Sequence, residues 1–355
     1  MAGTWGPRTW GRRLAVVTAV LAVTLSGCST GPTTEPAAAP AGSGSSAATD
    51  SFPVTLKHAF GQTTLEQAPT RVATVSWVNA DVSLALGVVP VGVPKDEWGG
   101  NAQGSTPWKD AALAQLAAPV GSDKAPVQYA ETDGINYTEI AKLTPDVILA
   151  AYSGLTKEEY DKLSKIAPVV AYPEVAYGTP WQDATRLIGQ ALGRSAQAEE
   201  LVASTEKTIQ DKVAAFPQIK DRTFIYGNLE PAKGAGVNLY TAYDNRPRFL
   251  TLIGMKQAPV VTENTKTKAF YVEWSPERAD ELESDVFVTW VPEAKTVQQI
   301  KADPLLGQIP AVKRGALVAD PSSTLTLAVS ASSPLSLPWA LDELLPQLAA
   351  AADRS

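Results

Sequence analysis

Cysteine and histidine each occur only once in the 355 residues, as Cys28 and His58. A single cysteine cannot form an intrachain disulfide, and these two residues cannot supply a thiolate zinc site or a multi-histidine metal site. We interpret His58 as a structural residue of a strand near the start of the folded region. The sequence thus predicts a protein without a structural disulfide and without a resident metal or cofactor.

Motifs for catalysis and nucleotide binding are also missing from residues 50–355. This region has no Gly-x-Ser-x-Gly elbow, no Walker loop, no Gly-x-Gly-x-x-Gly after a strand and no catalytic cluster that contains histidine. The alternatives of a different class are an adhesion module and an extracellular hydrolase, and a hydrolase would need a nucleophile and a base. The sequence predicts a binding protein and not an enzyme.

Runs of basic residues are absent as well. The net charge is −7, and residues 1–27 contain Arg8, Arg12 and Arg13 but no acidic residue. Loss of these three positive charges with a cleaved leader brings the net charge to −10. A chain this acidic argues against nucleic acid as a partner.

The amino terminus is typical of an export signal. The three arginines precede an apolar run, Leu14 to Leu25, which is short for a transmembrane helix and has the length of a signal-peptide core. The run ends in Leu25-Ser26-Gly27-Cys28, which resembles a bacterial lipobox. We therefore predict a lipoprotein signal peptide at residues 1–27 and a lipid anchor on Cys28 at the outer face of the cytoplasmic membrane. The Sec and twin-arginine export routes both stay open.

Residues 28–52 are predicted to be a disordered tether. Their composition is dominated by Ala, Pro, Gly, Ser and Thr, which cannot bury enough apolar surface to offset the entropy of ordering. The folded region is expected to begin at residue 53.

A long helical stretch organises the folded region. A first helix, 181–192, ends at Gly193, and the next residues, 196–215, contain neither Gly nor Pro, with Ser195 as the expected N-cap. About 20 helical residues span roughly 30 Å, enough to cross a small domain. We interpret the segment 181–217 as a linker between two Rossmann-like α/β lobes, 53–180 and 218–355. The alternative is one helix within a single large domain.

An internal repeat supports two lobes of similar topology. The segment from Thr138 to Leu149 matches the segment from Pro276 to Val288, with one extra residue in the second copy. Each copy predicts a helix with a glutamate in its first turn, followed by an aspartate that opens an apolar strand.

Aromatic side chains follow several predicted strands of both lobes, and Arg246 and Arg248 begin a predicted helix, where positive charge opposes the helix dipole and so indicates another purpose. Open α/β sheets bind ligands at the carboxyl ends of their strands, so these side chains are candidates for one shared site. A core position is the alternative for each aromatic residue, and surface solvation is the alternative for each arginine. The candidate ligand-binding residues are Trp77, Trp98, Tyr152, Tyr226, Tyr240, Tyr243, Arg246, Arg248 and Trp290.

Several short motifs, in this order, resemble the substrate-binding lipoproteins of ABC importers for iron-siderophore complexes and vitamin B12, the rigid-helix class of periplasmic-type binding proteins. The resemblance covers roughly residues 54 to 348. The motifs are Lys57-His58-Ala59-Phe60-Gly61, Pro69-Thr70-Arg71-Val72, Ala85-Leu86-Gly87-Val88, Leu143-Thr144-Pro145-Asp146-Val147-Ile148, Ala191-Leu192-Gly193-Arg194, Ser275-Pro276-Glu277 and Pro310-Ala311-Val312-Lys313.

This resemblance implies a monomer that captures a ferric siderophore and hands it to an ABC permease dimer. Iron would arrive already chelated, so the protein would need no metal ligands of its own. Haem or a corrinoid is the alternative ligand within the class. Arg246 and Arg248 would suit the negative oxygens of a catecholate or carboxylate siderophore.

The resemblance also implies docking carboxylates, one on each lobe. Glu139 and Glu277 occupy the same place in the two repeats, and in similar proteins such a pair meets arginines of the two permease subunits. A favourable helix-dipole position is the simpler explanation for both residues. Glu131, Glu273 and Glu281 lie nearby in the sequence and are rival candidates.

Overall fold

The computed structural model describes residues 50–231 and 236–355. The predicted signal peptide, Cys28 and residues 28–49 of the predicted tether lie outside this range. Asp50, within the tether prediction, is held in place, because its carboxylate accepts hydrogen bonds from the Ser195 backbone N–H at 3.1 Å and the Ser195 hydroxyl at 2.5 Å. Asp50 is therefore bound to Ser195, a residue of the predicted helical linker.

The first half of the described chain consists of alternating short strands and helices. In chain order they are β1 (Val54–His58), β2 (Gly61–Leu65), β3 (Val72–Thr74), α1 (Asn79–Ala85), β4 (Gly92–Pro94), α2 (Pro107–Gln115), β5 (Val127–Tyr129), α3 (Tyr137–Lys142), β6 (Val147–Ala150), α4 (Lys157–Leu163), β7 (Val169–Ala171), α5 (Trp181–Ala191) and α6 (Ser195–Val213).

The second half continues the alternation and adds three short 3₁₀ helices, Pro217–Ile219, Pro276–Glu281 and Leu306–Gln308. Its other elements are β8 (Thr223–Asn228), β9 (Val237–Tyr240), α7 (Asn245–Leu252), β10 (Lys256–Gln257), α8 (Pro259–Thr262), β11 (Tyr271–Trp274), β12 (Val286–Trp290), α9 (Thr296–Ala302), α10 (Pro310–Arg314), β13 (Leu317–Asp320), α11 (Ser323–Ser330) and α12 (Ser336–Ala352).

Two sheets form the two lobes. The first has the order β5-β4-β3-β6-β7 and is parallel throughout. Its strands β3, β6 and β7 are wholly buried and, apart from Thr74, apolar, as expected for a parallel sheet with helices on both faces. The second has the order β11-β9-β8-β12-β13, and β10 pairs with β8. A separate hairpin of β1 and β2 precedes the first sheet.

The predicted repeat is visible in the hydrogen bonds of two aspartates. Asp146, just before β6, accepts from the Thr70 backbone N–H at 2.7 Å and from its hydroxyl at 2.8 Å. Asp285, just before β12, accepts from the same two groups of Thr223, at 2.7 and 2.8 Å. Each aspartate thus ties the start of one parallel strand to the start of its neighbour in its own lobe.

The second lobe departs from the repeat in two places. β9 and β11 are antiparallel to their neighbours, so the second sheet is mixed where the first is parallel. The helix expected from the second repeat is a 3₁₀ helix, in which Arg278 has non-helical backbone angles. Pro276 is the first residue of this helix, a position where the missing backbone N–H removes no helical hydrogen bond, so the proline does not account for the change.

The long helix α6 begins one residue before the predicted start. Ser195 is its first residue and not its N-cap, and the Asp50 carboxylate binds the Ser195 backbone N–H instead. Its buried residues, Ala198, Val202, Thr205 and Ile209, form a narrow stripe, and the helix packs against α5 and α12. α6 therefore contacts helices of both halves of the chain.

One hydrophobic cluster runs through both lobes. It includes Val147 and Leu149 of β6, Ile209 of α6, and Val286 and Val288 of β12. The lobe boundaries at 180 and 218 stay predictions, because apolar packing is continuous across them. Within the described residues, no helix is long and apolar enough to cross a membrane.

Candidate functional site

A cleft lies between the two lobes at the carboxyl ends of the first sheet. It consists of two adjoining cavities of about 390 Å³ and 360 Å³, which share Trp77, Trp98 and Tyr177 as lining residues. Each volume is within the range of small-molecule sites in proteins. The cavity of about 390 Å³ is the amino-lobe end of the cleft, and the other is the interlobe end.

The turn after β3 presents Trp77, whose side chain is 39% exposed. Ser76 and Val78, on either side of it, have φ of 61° and 71°, values that non-glycine residues rarely adopt. The buried side-chain amide of Asn79 stabilises this strained turn, because its Nδ2 donates hydrogen bonds to the carbonyl oxygens of Trp77 and Tyr152, each at 2.9 Å. Asn79 thereby fixes the Trp77 turn to the loop after β6, and both loops line the cleft.

The loop after β4 presents Trp98, which is 42% exposed. Its ring meets the ring of Trp290, at the end of β12 in the other lobe, edge to face at 6.0 Å between centroids. The next residue, Gly99, has φ of 78° and passes so close to α11 that an added Cβ would lie 2.9 Å from the Leu327 side chain. A glycine is required here for the loop to contact the second lobe.

The second lobe contributes a paired guanidinium. Arg246 stacks on Tyr240 at 3.4 Å from the ring centroid and donates two hydrogen bonds to Asp244, at 2.8 and 2.6 Å. Burial lowers the pKa of Arg246, but the bonded carboxylate outweighs burial, so the pKa is raised and the charge is permanent. Tyr226 lies behind this group, 4% exposed, with its ring 5.9 Å from that of Tyr240.

Five of the nine candidate residues line the cleft, and four do not. Trp77, Trp98, Tyr152, Tyr240 and Arg246 line the interlobe end. Tyr226 contacts Arg246 and Trp290 contacts Trp98 without lining the cleft themselves. Tyr243 and Arg248 lie away from the cleft and line another recess.

Arg248 has a different task from Arg246. It donates to the carbonyl oxygens of Ala242 at 2.8 Å and Gly178 at 2.7 Å, and so ties the second lobe to the loop after β7. Two residues along an α-helix are about 200° apart, so the side chains of Arg246 and Arg248 leave α7 on opposite sides. Both arginines were candidate ligand-binding residues because they begin a helix, but only Arg246 lines the cleft.

Several lining residues were not predicted from the sequence. Tyr177 contacts Trp77 and Tyr152, with ring centroids 6.3 and 5.8 Å apart. A signal was available, because Tyr177 lies in a Gly- and Pro-containing loop after a strand, where an exposed aromatic residue is unusual. The other residues missed at the interlobe end are Asp244, Phe270, Tyr271, Thr326, Ser330 and Ala331.

The amino-lobe end is acidic. Glu97, Glu131 and Glu159 line it together with Lys95. One oxygen of Glu131 accepts from the Ser76 backbone N–H at 3.0 Å, and the other is buried without a hydrogen-bond partner in the described structure. Burial raises the pKa of Glu131 to about 7, so this carboxyl is half ionised near neutral pH.

The two predicted docking glutamates lie outside the cleft lining. Glu139 is in the first turn of α3 and pairs with Lys142 at 2.7 Å. Glu277 is exposed in the first turn of its 3₁₀ helix. Of the rivals, Glu131 lines the cleft, and Glu281 forms an ion pair with Arg278 at 2.6 Å.

Two α/β lobes, one long connecting helix and an aromatic cleft between the lobes define a two-lobed ligand-binding protein. The chain belongs to the periplasmic binding protein family, whose model matches residues 72–324. The resemblance and the two-lobed fold class predicted from the sequence are thereby confirmed.

Known members of this family are similar along most of the chain. PiaA from Streptococcus pneumoniae TIGR4 is 37% identical in sequence to this chain. Its crystal structure in complex with ferrichrome matches with a TM-score of 0.78 and covers 85% of this chain and 99% of that chain. A periplasmic solute binding protein from Mycobacterium smegmatis is 31% identical, with a TM-score of 0.69 over 84% and 98%. The Fe(3+)-citrate-binding protein YfmC of Bacillus subtilis is 27% identical over 314 residues, which are 87% of this chain and 89% of the relative.

Proposed function

We propose that this protein captures a ferric siderophore in the interlobe cleft and delivers it to an ABC import permease. The observation that carries the proposal is the cleft itself, whose walls are Trp77, Trp98, Tyr177 and Tyr240, in a chain similar to a ferrichrome-bound protein. Aromatic walls bind a bulky chelate through a large contact area, and the donor atoms of the siderophore already occupy the coordination sites of the iron. Binding then requires no protein metal ligand, no cofactor and no chemical step.

We expect saturable quenching of the Trp77 and Trp98 fluorescence when a ferric siderophore binds. A titration panel of ferrichrome, ferric citrate, haem and cobalamin separates the siderophore proposal from the haem and corrinoid alternatives. Tyr177→Ala should weaken siderophore binding about tenfold, because it removes a wall that contacts both Trp77 and Tyr152.

Tyr243→Ala is the matched control, since Tyr243 lines a recess away from the cleft. Its affinity should equal that of the unsubstituted protein. Saturation by haem or cobalamin alone, or equal losses for the two tyrosine variants, would contradict the proposal.

The proposal includes export and anchoring of the mature chain through lipid on Cys28, a residue outside the described structure. Two acyl-type chains on one cysteine are enough for stable membrane attachment. Cys28→Ser should leave an unprocessed precursor or release the protein into the medium, as measured by fractionation and mass spectrometry. A lipid-bearing mature form of this variant would refute the anchoring step.

Docking on the permease completes the proposed cycle. We assign Glu139 and Glu277 as the two docking carboxylates, because they occupy equivalent places ahead of the paired aspartates Asp146 and Asp285. A permease dimer with two like subunits needs two like anchors on a monomeric binding protein. Both glutamates are clear of the cleft, so docking and ligand binding use separate surfaces.

A further inference from the structure

The charged groups of the cleft are unevenly distributed between its two ends. Among the described residues, the amino-lobe end is lined by three carboxylates, those of Glu97, Glu131 and Glu159, and by one cation, Lys95. The interlobe end is lined by Asp244 and Arg246. Of the described residues, four acidic side chains and two cationic ones thus line the cleft.

The Arg246 guanidinium at the interlobe end offers little net positive charge. Arg246 donates two hydrogen bonds to Asp244, so the two charges form a neutral pair against the Tyr240 ring. Arg248, the other arginine of α7, lies outside the cleft and binds backbone carbonyls. An anionic ligand would meet one already compensated cation at this end and excess carboxylates at the other.

We infer that the cleft selects ferric siderophores by charge, favouring cationic or uncharged chelates over anionic ones, and that Glu97 and Glu131 are specificity-determining residues for this selection. The inference rests on the proposed function and names the class of siderophore that the site takes. It departs from the expectation, drawn from the two arginines, of a catecholate or carboxylate ligand.

The physical basis is the Coulomb energy inside a partly desolvated cleft. Charges within several ångströms of each other interact more strongly there than in bulk water, because the effective dielectric constant is lower. Hydroxamate chelates of Fe³⁺ are uncharged at the iron, whereas citrate and catecholate chelates carry negative charge. A cationic substituent near the glutamates gains energy, and an anionic one loses it.

The decisive experiment uses one iron chelate with three different charges. Ferrioxamine B, with a terminal ammonium, is compared with its N-acetylated neutral form and its N-succinylated anionic form by tryptophan fluorescence at low ionic strength, where screening is weak. The iron centre and the hydroxamates are the same in all three. We expect the ammonium form to bind about tenfold more tightly than the succinylated form, a ratio that corresponds to about 1.4 kcal/mol.

Glu97→Gln with Glu131→Gln should reduce this difference to roughly threefold or less, by weakening the ammonium form and strengthening the succinylated form. The amide introduced by Glu131→Gln keeps an oxygen for the Ser76 N–H, so the Trp77 turn is retained. Glu200→Gln with Glu263→Gln is the matched control, because both glutamates are exposed and neither lines the cleft. It makes the same change in net charge and should leave the difference intact.

A pH series adds a readout specific to Glu131. Its neighbours are Lys95 and Glu97 after β4, Tyr129 of β5, Glu159 of α4 and Tyr177 after β7. Since burial raises the pKa of Glu131 to about 7, its charge is gained as the pH rises through neutrality. The preference for the ammonium over the acetylated form should grow over this interval, and Glu131→Gln alone should remove the growth.

Each remaining outcome counts against the inference. Equal or tighter binding of the succinylated form overturns charge selection, and so does a double variant that weakens all three forms alike, while the proposed function stands because the chelates still bind. Failure of all three forms to bind while ferrichrome binds assigns selection to shape, which also overturns the inference. If ferrichrome and ferric citrate fail as well, the proposed function falls with the inference, whereas binding of ferric citrate alone overturns only the charge selection.

Discussion

Reversing the charge of both Glu139 and Glu277 to lysine is expected to abolish ferric-siderophore uptake by cells, while the affinity for the siderophore stays unchanged. The two side chains lie outside the cleft lining, one on each lobe. Two lysines would face the cations expected on both permease subunits, and like charges brought together at an interface cost several kcal/mol. Each single reversal should reduce uptake partly, because one anchor remains.

Two sets of variants serve as controls for this prediction. Glu200→Lys with Glu263→Lys makes the same change in net charge on exposed positions and should transport normally. Replacing the Glu277 change by Glu281→Lys or Glu273→Lys tests the rivals. Glu281 is already paired with Arg278, so its reversal should have a smaller effect. Normal uptake by the Glu139→Lys, Glu277→Lys chain, with its thermal stability intact, would return both residues to a helix-dipole role.

Replacing Asp81 by alanine is expected to lower the free energy of unfolding by about 3–5 kcal/mol, a large share of the ~5–15 kcal/mol typical of a folded protein. Asp81 is 3% exposed and accepts hydrogen bonds from the Trp108 indole N–H and the Ser333 hydroxyl, each at 2.7 Å. Trp108 belongs to the first lobe and Ser333 to the loop between α11 and α12 of the second. The carboxylate is therefore a buried polar link between the lobes.

The same carboxylate also takes part in a buried charge cluster. Lys109 pairs closely with Asp96 and lies 4.0 Å from Asp81. Burial raises the pKa of both aspartates, and the Lys109 cation opposes that rise. Alanine at position 81 would leave the Trp108 indole N–H and the Ser333 hydroxyl without their acceptor. It would also remove one of the two carboxylates near the Lys109 ammonium.

Urea denaturation of two further variants assigns the cause. Trp108 and Ser333 both donate to Asp81 Oδ2, so the amide oxygen of Asp81→Asn can accept from both, and this variant should lose less stability, roughly 1–2 kcal/mol. Asp342→Ala removes an exposed partner of Lys212 and should change stability by less than about 1 kcal/mol. A loss for Asp81→Ala no larger than that for Asp342→Ala would show that the interlobe link contributes little.

Local sequence signals predicted the elements well. The α6 helix was expected at 196–215 and is Ser195–Val213, because the stretch lacks Gly and Pro and most of its residues are strong helix formers. The repeat placed Asp146 and Asp285 in equivalent positions, and their matching hydrogen bonds bear this out. The antiparallel pairing of β9 with β11 was missed, since strand direction depends on a partner distant in the sequence.

The candidate site was predicted in part, and its errors have one origin. Trp77 and Trp98 were found because they follow strands whose carboxyl ends must meet at one edge of a sheet. Arg248 was assigned to the cleft because it shares a helix start with Arg246, yet the two side chains point in opposite directions. Tyr177 and Asp244 were overlooked because their importance comes from neighbours in space, the Trp77 ring and the Arg246 guanidinium.

The sequence by itself determined the order of strands and helices, the repeat and the sheet edge at which the candidate residues lie, and it is the source of the export signal hypothesis. These properties follow from composition, periodicity and spacing, all of which are local. Only the tertiary structure decided which aromatic side chains face the cleft, that Asp244 neutralises Arg246, and that Glu97, Glu131 and Glu159 converge at the other end. Charge balance in a cleft is a sum over residues far apart in the chain, so it exists only once the lobes have packed.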